Sequence, residues 1–125
     1  MKKKSNVSLL FDDNKRRVQL RFESIAILHY DNDLSKTVWN NTPLQSRKCY
    51  MPPYAPSTKL KEWHPNIPIK YLKKDPDIND SEKGYKDFCV IDLVSEKIDV
   101  VELHHDGHIR FKINFVKDES YFISA

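Results

Sequence analysis

The stretch from Ile98 to Phe115 constrains the fold most strongly, because it encodes a β-hairpin and decides which side chains share a face. Its Asp106-Gly107 dipeptide is typical of a tight two-residue turn, which needs positive φ angles that aspartate and glycine adopt at low cost. Beyond this turn apolar and polar residues alternate, which predicts a strand with one buried face and one accessible face. The apolar set is Ile109, Phe111, Ile113 and Phe115, and the polar set is His108, Arg110, Lys112 and Asn114.

The rest of the chain predicts an α+β fold with a largely antiparallel sheet or split barrel of about six strands. Apolar or alternating runs indicate the strands, and short polar segments are expected to form the turns between them. The expected strands cover residues 7–11, 17–30, 88–94, 98–105, 108–116 and 121–124.

One or two short helices are expected between the second and third strands. Asp31-Asn32-Asp33 offers capping side chains for a helix over residues 34–41. Thr42-Pro43-Leu44-Gln45 then combines a capping hydroxyl, an early proline and a capping-box glutamine, which predicts a second helix ending near Cys49. Residues 50–80 hold six of the seven prolines and predict a long irregular loop.

Length and composition indicate one ordinary domain. The 125 residues with 39% hydrophobic content suit a single core, so we expect one domain over residues 1–125. With 21 basic and 18 acidic residues, the net charge of +3 is too small to indicate a polyanionic partner. No apolar run approaches the roughly 20 residues that span a bilayer, and no signal-peptide pattern is present. We therefore expect a soluble, cytoplasmic protein without a membrane partner.

Three histidines near the hairpin turn raise the hypothesis of a metal site. A two-residue turn at Asp106-Gly107 would place His105 opposite His108 across the hairpin, as a pair able to bind zinc. A third ligand is not evident, because His104 points to the other face and no cysteine lies nearby. The pattern therefore predicts no metal site.

Arg110 and Gln19 are polar residues on predicted strands, and each of them could either bind a ligand or have a purely structural role. Together with His108, Arg110 suits an anionic or hydrogen-bonding ligand, but it also suits an ion pair with Glu102 or Asp99 across the hairpin. The Gln19 amide can bind the edge of a planar heterocycle or face solvent. The chain has two glycines only, which excludes a Rossmann dinucleotide site and a phosphate-binding P-loop.

Taken in order, several short motifs of this chain resemble the FMN-binding split barrels of the pyridoxamine 5'-phosphate oxidase-related flavoproteins. The resemblance covers nearly the whole chain and depends on the order and spacing of the motifs. They are Asn6 to Phe11, Val18 to Arg21, Ala26 to His29, Trp39, Ser46 to Tyr50, the proline-rich insertion, Gly84 to Phe88 and Gly107 to Arg110.

The resemblance implies a homodimer with FMN in clefts between the subunits, and a flavin-dependent oxidoreductase activity in complete relatives. Gln19 matches the strand glutamine that binds the flavin ring, and Arg110 matches an arginine that contacts it. His108 and Ser46 fall near residues on the substrate side in the family. Catalytic residues are not assigned. The modest net charge argues against a nucleic-acid partner.

This chain departs from the family pattern in two places. Relatives carry an additional amino-terminal segment whose arginine and lysine bind the FMN phosphate, so we expect an amino-terminally incomplete barrel with impaired FMN binding. The chain is then either part of a longer flavoprotein or a short natural variant completed by dimerisation. In addition, Val100 and Val101 stand where the true oxidase has a tryptophan, which argues against oxidation of pyridoxamine phosphate itself.

A second hypothesis belongs to a different class of protein. A non-enzymatic β-barrel module would bind an acidic partner or nucleic acid through two basic segments, Lys2 to Lys4 and Lys15 to Arg17. Such segments are more often solvated surface than binding sites. The modest net charge makes this hypothesis the alternative to the flavoprotein.

Overall fold

A computed structural model describes residues 4–125 of the chain. These residues form two compact units. The first contains residues 4–28 and 91–125, and the second contains residues 29–90. Within residues 4–125, no α-helix combines the length and the apolar character needed to cross a membrane.

The first unit is built on one β-sheet whose five strands lie in the order of the sequence. The first two strands pair antiparallel, as do the third with the fourth and the fourth with the fifth. An α+β fold with a largely antiparallel sheet is therefore confirmed. The strands are β1 (Lys4–Asp13), β2 (Val18–His29), β3 (Val90–Glu102), β4 (Ile109–Asn114) and β5 (Glu119–Ile123).

The sequence predicted about six strands, but the described residues form five. The expected strands over 88–94 and 98–105 are a single strand, β3, because the segment between them stays extended. In that segment Lys97 pairs with Asn114 of β4, and the carbonyl of Glu96 accepts a hydrogen bond from the N–H of Phe115. The segment contains no glycine, proline, asparagine or aspartate that would favour a turn.

The β4–β5 turn is held by the side chain of the last residue of β4. The Asn114 side-chain oxygen accepts hydrogen bonds from the N–H groups of Val116 and Lys117, each at 3.1 Å. Asp118 closes the turn with a φ of 50°, a left-handed conformation that aspartate tolerates. The β1–β2 turn uses the same arrangement at Asp13.

The hairpin between β3 and β4 exists, but the predicted two-residue turn is wrong. The last strand pair is Glu102 with Ile109, so residues 103–108 form a six-residue loop. Gly107 still adopts a positive φ of 125°. Because this register does not pair His105 with His108, the cross-strand histidine pair proposed for zinc does not form.

Polar and apolar side chains alternate along β4 as predicted, but the apolar face is not the buried one: Ile109 is exposed, whereas Arg110 and Lys112 are half-buried. We call the polar side of this sheet the charged face. It carries Gln19, Arg21, Glu23, Lys97, Asp99, Arg110, Lys112 and Asn114. The opposite side is apolar and incompletely covered, since Ala26 is buried but Ile109 and Phe122 are exposed.

The second unit contains three short α-helices and several 3₁₀ segments. The helices are α1 (Asp33–Asn40), α2 (Leu44–Arg47) and α3 (Ile78–Ser81). The 3₁₀ segments are Lys48–Tyr50, Ile69–Tyr71 and Glu82–Asp87. The described residues therefore contain one helix more than the predicted maximum of two.

Helix α1 begins as predicted, whereas α2 does not. The Asn32 side chain accepts a hydrogen bond from the Ser35 N–H, and the Ser35 hydroxyl accepts one from the Asn32 N–H, which completes a capping box. The Thr42 hydroxyl does not cap α2, because it donates to the carbonyl of Val38 at 2.8 Å. Pro43 occupies the capping position of α2 without a side-chain hydrogen bond.

A buried guanidinium holds the helices of the second unit together. The Arg47 side chain is 6% exposed and lies 4.7 Å from the ring centroid of Trp39. It donates hydrogen bonds to the carbonyls of Thr42 and Trp39, to the Ser81 hydroxyl and to the Glu82 carboxylate, at 2.8 to 3.1 Å. These bonds satisfy a charge that would otherwise be costly to bury.

Close packing around Trp39 explains why a glycine lies inside a helical segment. The Trp39 ring contacts the rings of Tyr50, Tyr85 and Phe88. A Cβ atom at Gly84 would lie 3.1 Å from the Tyr50 carbonyl oxygen and 3.2 Å from the Trp39 ring. Glycine therefore permits a close approach at this position.

We expect the substitution Arg47→Met to destabilise the second unit by about 1 to 3 kcal/mol, because the buried Trp39 carbonyl and the Ser81 hydroxyl lose their donor. Arg47→Lys should also destabilise it, since an ammonium lacks the planar fork. Urea unfolding followed by tryptophan fluorescence reports on this unit, because both tryptophans, Trp39 and Trp63, lie in it.

The matched control is Lys83→Met, which removes the ion pair that the exposed Lys83 makes with Asp80 in the same unit and leaves Asp80 bound to Lys70. This change should cost less than about 1 kcal/mol. Equal losses in the Arg47 and Lys83 variants would contradict a structural role for the buried guanidinium.

Candidate functional site

Three of the four predicted site residues line one depression on the charged face. Gln19 lies near the start of β2, Arg110 lies in β4, and His108 lies in the loop before β4. The depression has a volume of about 320 Å³. The other residues that line it are Arg21, Asp99, Val101 and Ala125.

Arg110 binds Asp99 with two parallel hydrogen bonds. Its Nε donates to Asp99 Oδ1 at 3.0 Å, and its Nη2 donates to Oδ2 at 2.7 Å. Of the two predicted alternatives, Asp99 rather than Glu102 is therefore the partner. A guanidinium has five N–H groups, so three remain available for a ligand.

The ion pair shifts the titration of both partners. Hydrogen bonding from Arg110 lowers the pKa of Asp99 below its ordinary value of 3.8, and the positive charges of Arg110, Lys112 and Arg21 add to this effect, while partial burial opposes it. Hydrogen bonding to Asp99 raises the pKa of Arg110. Asp99 is therefore ionised at neutral pH and fixes the orientation of the guanidinium.

The Gln19 amide is free to bind a ligand. Gln19 pairs with Asp12 of β1 through the backbone and is half-buried. Within residues 4–125 its side chain has no hydrogen-bond partner, whereas the neighbouring Arg110 is held by Asp99. An amide offers both a donor and an acceptor, which suits the edge of a heterocyclic ring.

His108 is exposed at the rim of the depression. Its Nδ1 accepts a hydrogen bond from the backbone N–H of His104 at 3.3 Å, which leaves Nε2 protonated in the neutral ring. His104 lies 2.8 Å from Glu102 through its own Nε2. The described part of the chain contains no group of three histidine, cysteine or acidic side chains suited to a metal ion.

Ser46 does not line this depression. It lies exposed on α2 in the second unit, beside the buried Arg47. Its assignment to the substrate side stays a prediction from the family resemblance.

A second depression on the charged face contains residues that the sequence did not single out. It has a volume of about 380 Å³ and shares Arg21, Asp99 and Arg110 with the first. Among its other lining residues are Lys97, Lys112, Lys117, Glu119 and Tyr121. The alternation along β4 predicted that Lys112 lies on the polar face. The positions of Lys117 in the β4–β5 turn and of Glu119 and Tyr121 in β5 could not be predicted in this way, because they depend on strand pairing.

The basic segments of the alternative hypothesis lie elsewhere. Lys15 to Arg17 form most of the exposed β1–β2 turn, where Arg16 binds Asp13 at 2.7 Å. Lys2 and Lys3 lie outside the described residues, and the side chain of Lys4 is likewise not described.

Comparisons with known proteins give one informative similarity. No protein-family model matches the sequence, and no curated protein matches it. The structure, however, is similar to the crystal structure of a pyridoxamine 5'-phosphate oxidase-related, FMN-binding protein from Nostoc punctiforme, with a TM-score of 0.62 and 18% sequence identity. The match covers 96% of this chain and 63% of the length of the Nostoc protein. This chain therefore has the fold of a pyridoxamine 5'-phosphate oxidase-related, FMN-binding protein.

Proposed function

We propose that this protein binds FMN on the charged face and acts, as a homodimer, as a flavin-dependent oxidoreductase. One observation carries the proposal: Gln19, His108 and Arg110 line a single depression in a chain that shares the fold of an FMN-binding protein. Gln19 lies in β2, whereas His108 and Arg110 are two residues apart around the start of β4.

The donors at the depression suit a flavin ring. The Gln19 amide both donates and accepts, and Arg110 keeps three N–H groups after binding Asp99. The two adjoining depressions, of about 320 and 380 Å³, each fall in the size range of small-molecule sites. The chemistry and the space are therefore compatible with an isoalloxazine ring and its side chain.

In this proposal the bound flavin supplies the redox chemistry by accepting a hydride and passing electrons to oxygen or another acceptor. Gln19 orients the ring edge, and Arg110 places a fixed positive charge beside it. Asp99 holds the Arg110 guanidinium in one orientation. His108, with a protonated Nε2, and Ser46 are assigned to the substrate side.

The alternative of a nucleic-acid or acidic-partner module gains no support from the fold. The structural similarity is to an FMN-binding protein, and the turn from Asn14 to Arg17 already uses one of its three basic side chains in an ion pair.

We expect FMN to bind purified protein and the substitution Gln19→Met to raise its dissociation constant about fivefold, as loss of a hydrogen bond worth about 1 kcal/mol implies. Methionine keeps the length of the side chain and removes its donor and acceptor. Quenching of FMN fluorescence, with the visible spectrum of the complex, measures the affinity.

Gln45→Met is the matched control, because Gln45 is the second glutamine of the chain and lies exposed on α2. It should leave FMN affinity unchanged. If wild-type protein at high concentration binds no FMN, the proposed function fails.

A second prediction concerns the pH dependence of the Arg110–Asp99 pair. Because Arg110 lowers the pKa of Asp99, the pair stabilises the fold above the ordinary aspartate pKa of 3.8, and this contribution is lost as the pH falls through the lowered value. In Arg110→Met we expect the pKa of Asp99 to rise. Carboxyl-carbon NMR titration of the flavin-free protein measures it directly.

Arg16→Met serves as the control for this titration, since Arg16 binds Asp13 in the β1–β2 turn. It should leave the pKa of Asp99 unchanged. An Asp99 titration that is identical in wild type and Arg110→Met would show that the ion pair does not form in solution.

A further inference from the structure

Among the large apolar side chains that the structure describes, Trp63 is the most exposed. It is 85% exposed and lies in the proline-rich loop of the second unit, whereas the other tryptophan, Trp39, is 1% exposed. Three more apolar side chains of the same stretch, Leu60, Ile69 and Leu72, are between 42% and 74% exposed. Exposed apolar side chains that recur over a short stretch of chain mark an interaction surface more often than isolated ones do.

The loop that carries Trp63 has a defined conformation. The Asn66 side chain accepts a hydrogen bond from the N–H of Tyr54 and donates one to the Tyr54 carbonyl, each at 3.1 Å. The Nδ1 atom of His64 accepts from the backbone N–H of Asn66 at 2.9 Å, and the His64 ring packs edge-on to the Tyr54 ring. Trp63, which directly precedes His64, is therefore presented by an ordered loop, and such a loop loses less entropy on binding than a flexible one.

Positive charge is concentrated in the same stretch, which we call the lysine-rich segment (residues 59–74). It holds five lysines and one acidic residue, Glu62, and so has a net charge of +4. The whole chain has a net charge of +3, so the remaining residues together have a charge of −1. Among the residues that the structure describes, Lys70 is the one lysine of the segment with an ion-pair partner, Asp80. The other four, Lys59, Lys61, Lys73 and Lys74, are exposed.

The nearest carboxylates lie at the end of the segment that leads to α3, away in sequence from Trp63. Asp75 binds Lys48 at 3.4 Å, and Asp77 caps α3 by accepting a hydrogen bond from the N–H of Asp80. Beside Trp63 itself the acidic Glu62 is outnumbered by two lysines. The segment therefore presents an excess of positive charge together with exposed apolar side chains.

This combination suits an anionic lipid surface better than nucleic acid. Bases stack on aromatic rings, so a nucleic acid would leave aliphatic side chains such as Leu60 and Ile69 without a partner. A bilayer interface accepts a tryptophan ring at the level of the headgroups and aliphatic side chains beside it. Lysine side chains extend along such an interface and keep their ammonium groups among anionic headgroups.

We propose that the lysine-rich segment binds the surface of a membrane that contains anionic lipids. Trp63 and Leu60 enter the interface, and Lys59 and Lys61 contact the headgroups. Binding at the surface needs no spanning segment, so it agrees with the lack of a membrane-crossing helix in residues 4–125. It corrects the expectation of no membrane partner, which rested on the lack of a long apolar run. The inference does not depend on FMN binding.

The first test uses the wild-type chain and two kinds of vesicle, one of phosphatidylcholine alone and one of equal parts phosphatidylcholine and phosphatidylglycerol. With the anionic vesicles alone, tryptophan emission should shift to shorter wavelength and become protected from acrylamide. Because Trp39 is already buried, these changes report on Trp63. Added salt should reverse them, since it screens the attraction between exposed lysines and the headgroups.

The second test measures co-sedimentation of variants with the anionic vesicles. Trp63→Ala should weaken binding about tenfold, because it removes an apolar ring from the interface. Lys59→Gln/Lys61→Gln should weaken it by about tenfold or more, because each lysine near an anionic surface contributes to binding.

Two matched controls change similar side chains elsewhere. Phe122→Ala removes an aromatic ring that is 75% exposed on β5, and Lys15→Gln/Lys36→Gln removes two exposed lysines outside the segment. Both should leave vesicle binding unchanged. Near-ultraviolet circular dichroism verifies folding, and the fluorescence of the wild type decides the question without any variant.

Each contrary result has a definite meaning. Failure of the wild type to bind anionic vesicles overturns the proposal, and so does vesicle binding that Trp63→Ala and the Lys59/Lys61 variant leave unchanged. Quenching of Trp63 by a single-stranded oligonucleotide, without binding to anionic vesicles, overturns the lipid surface in favour of nucleic acid. FMN affinity is measured separately, so none of these results bears on the proposed function.

Discussion

The register between β3 and β4 is the constraint on which the proposed site depends. It places Val101 opposite Arg110, so the guanidinium reaches Asp99 diagonally across the two strands and binds it with two hydrogen bonds. The same register places Asp99 opposite Lys112, whose ammonium is then left without a carboxylate. If β4 paired with β3 one residue out of this register, Arg110 would lie on the apolar side of the sheet and both depressions would be lost.

The second unit is stabilised around a buried guanidinium rather than a large apolar core. Few of its apolar side chains are fully buried, and a charged side chain, Arg47, takes a central place against Trp39. Its guanidinium binds carbonyl, hydroxyl and carboxylate oxygens from residues before and after the proline-rich loop. This network compensates for the limited apolar core of the unit, and its geometry requires the planar fork of arginine.

Much of the sheet and part of the site could be predicted from sequence, and the errors have a common cause. The period-two pattern of β4 and the cap of α1 at Asn32 depend on neighbours in sequence, and both are confirmed. The predictions of a two-residue turn at Asp106-Gly107 and of two separate strands over residues 88–105 were wrong, because the pairing of β3 with β4 ends at Glu102–Ile109 and continues through Lys97–Asn114. Thr42 likewise bonds to the preceding helix instead of capping the next one.

By itself the sequence determined which side chains share a face of each strand, because side-chain direction along an extended backbone has a fixed period of two. It thereby predicted that His108, Arg110 and Lys112 lie on one polar surface. Only the tertiary structure decided that Gln19 joins His108 and Arg110 at one depression, and that Asp99 rather than Glu102 is the partner of Arg110. The first choice depends on β2 lying near β4 although the two strands are far apart in the chain, and the second depends on the register between β3 and β4. Local residue patterns encode neither.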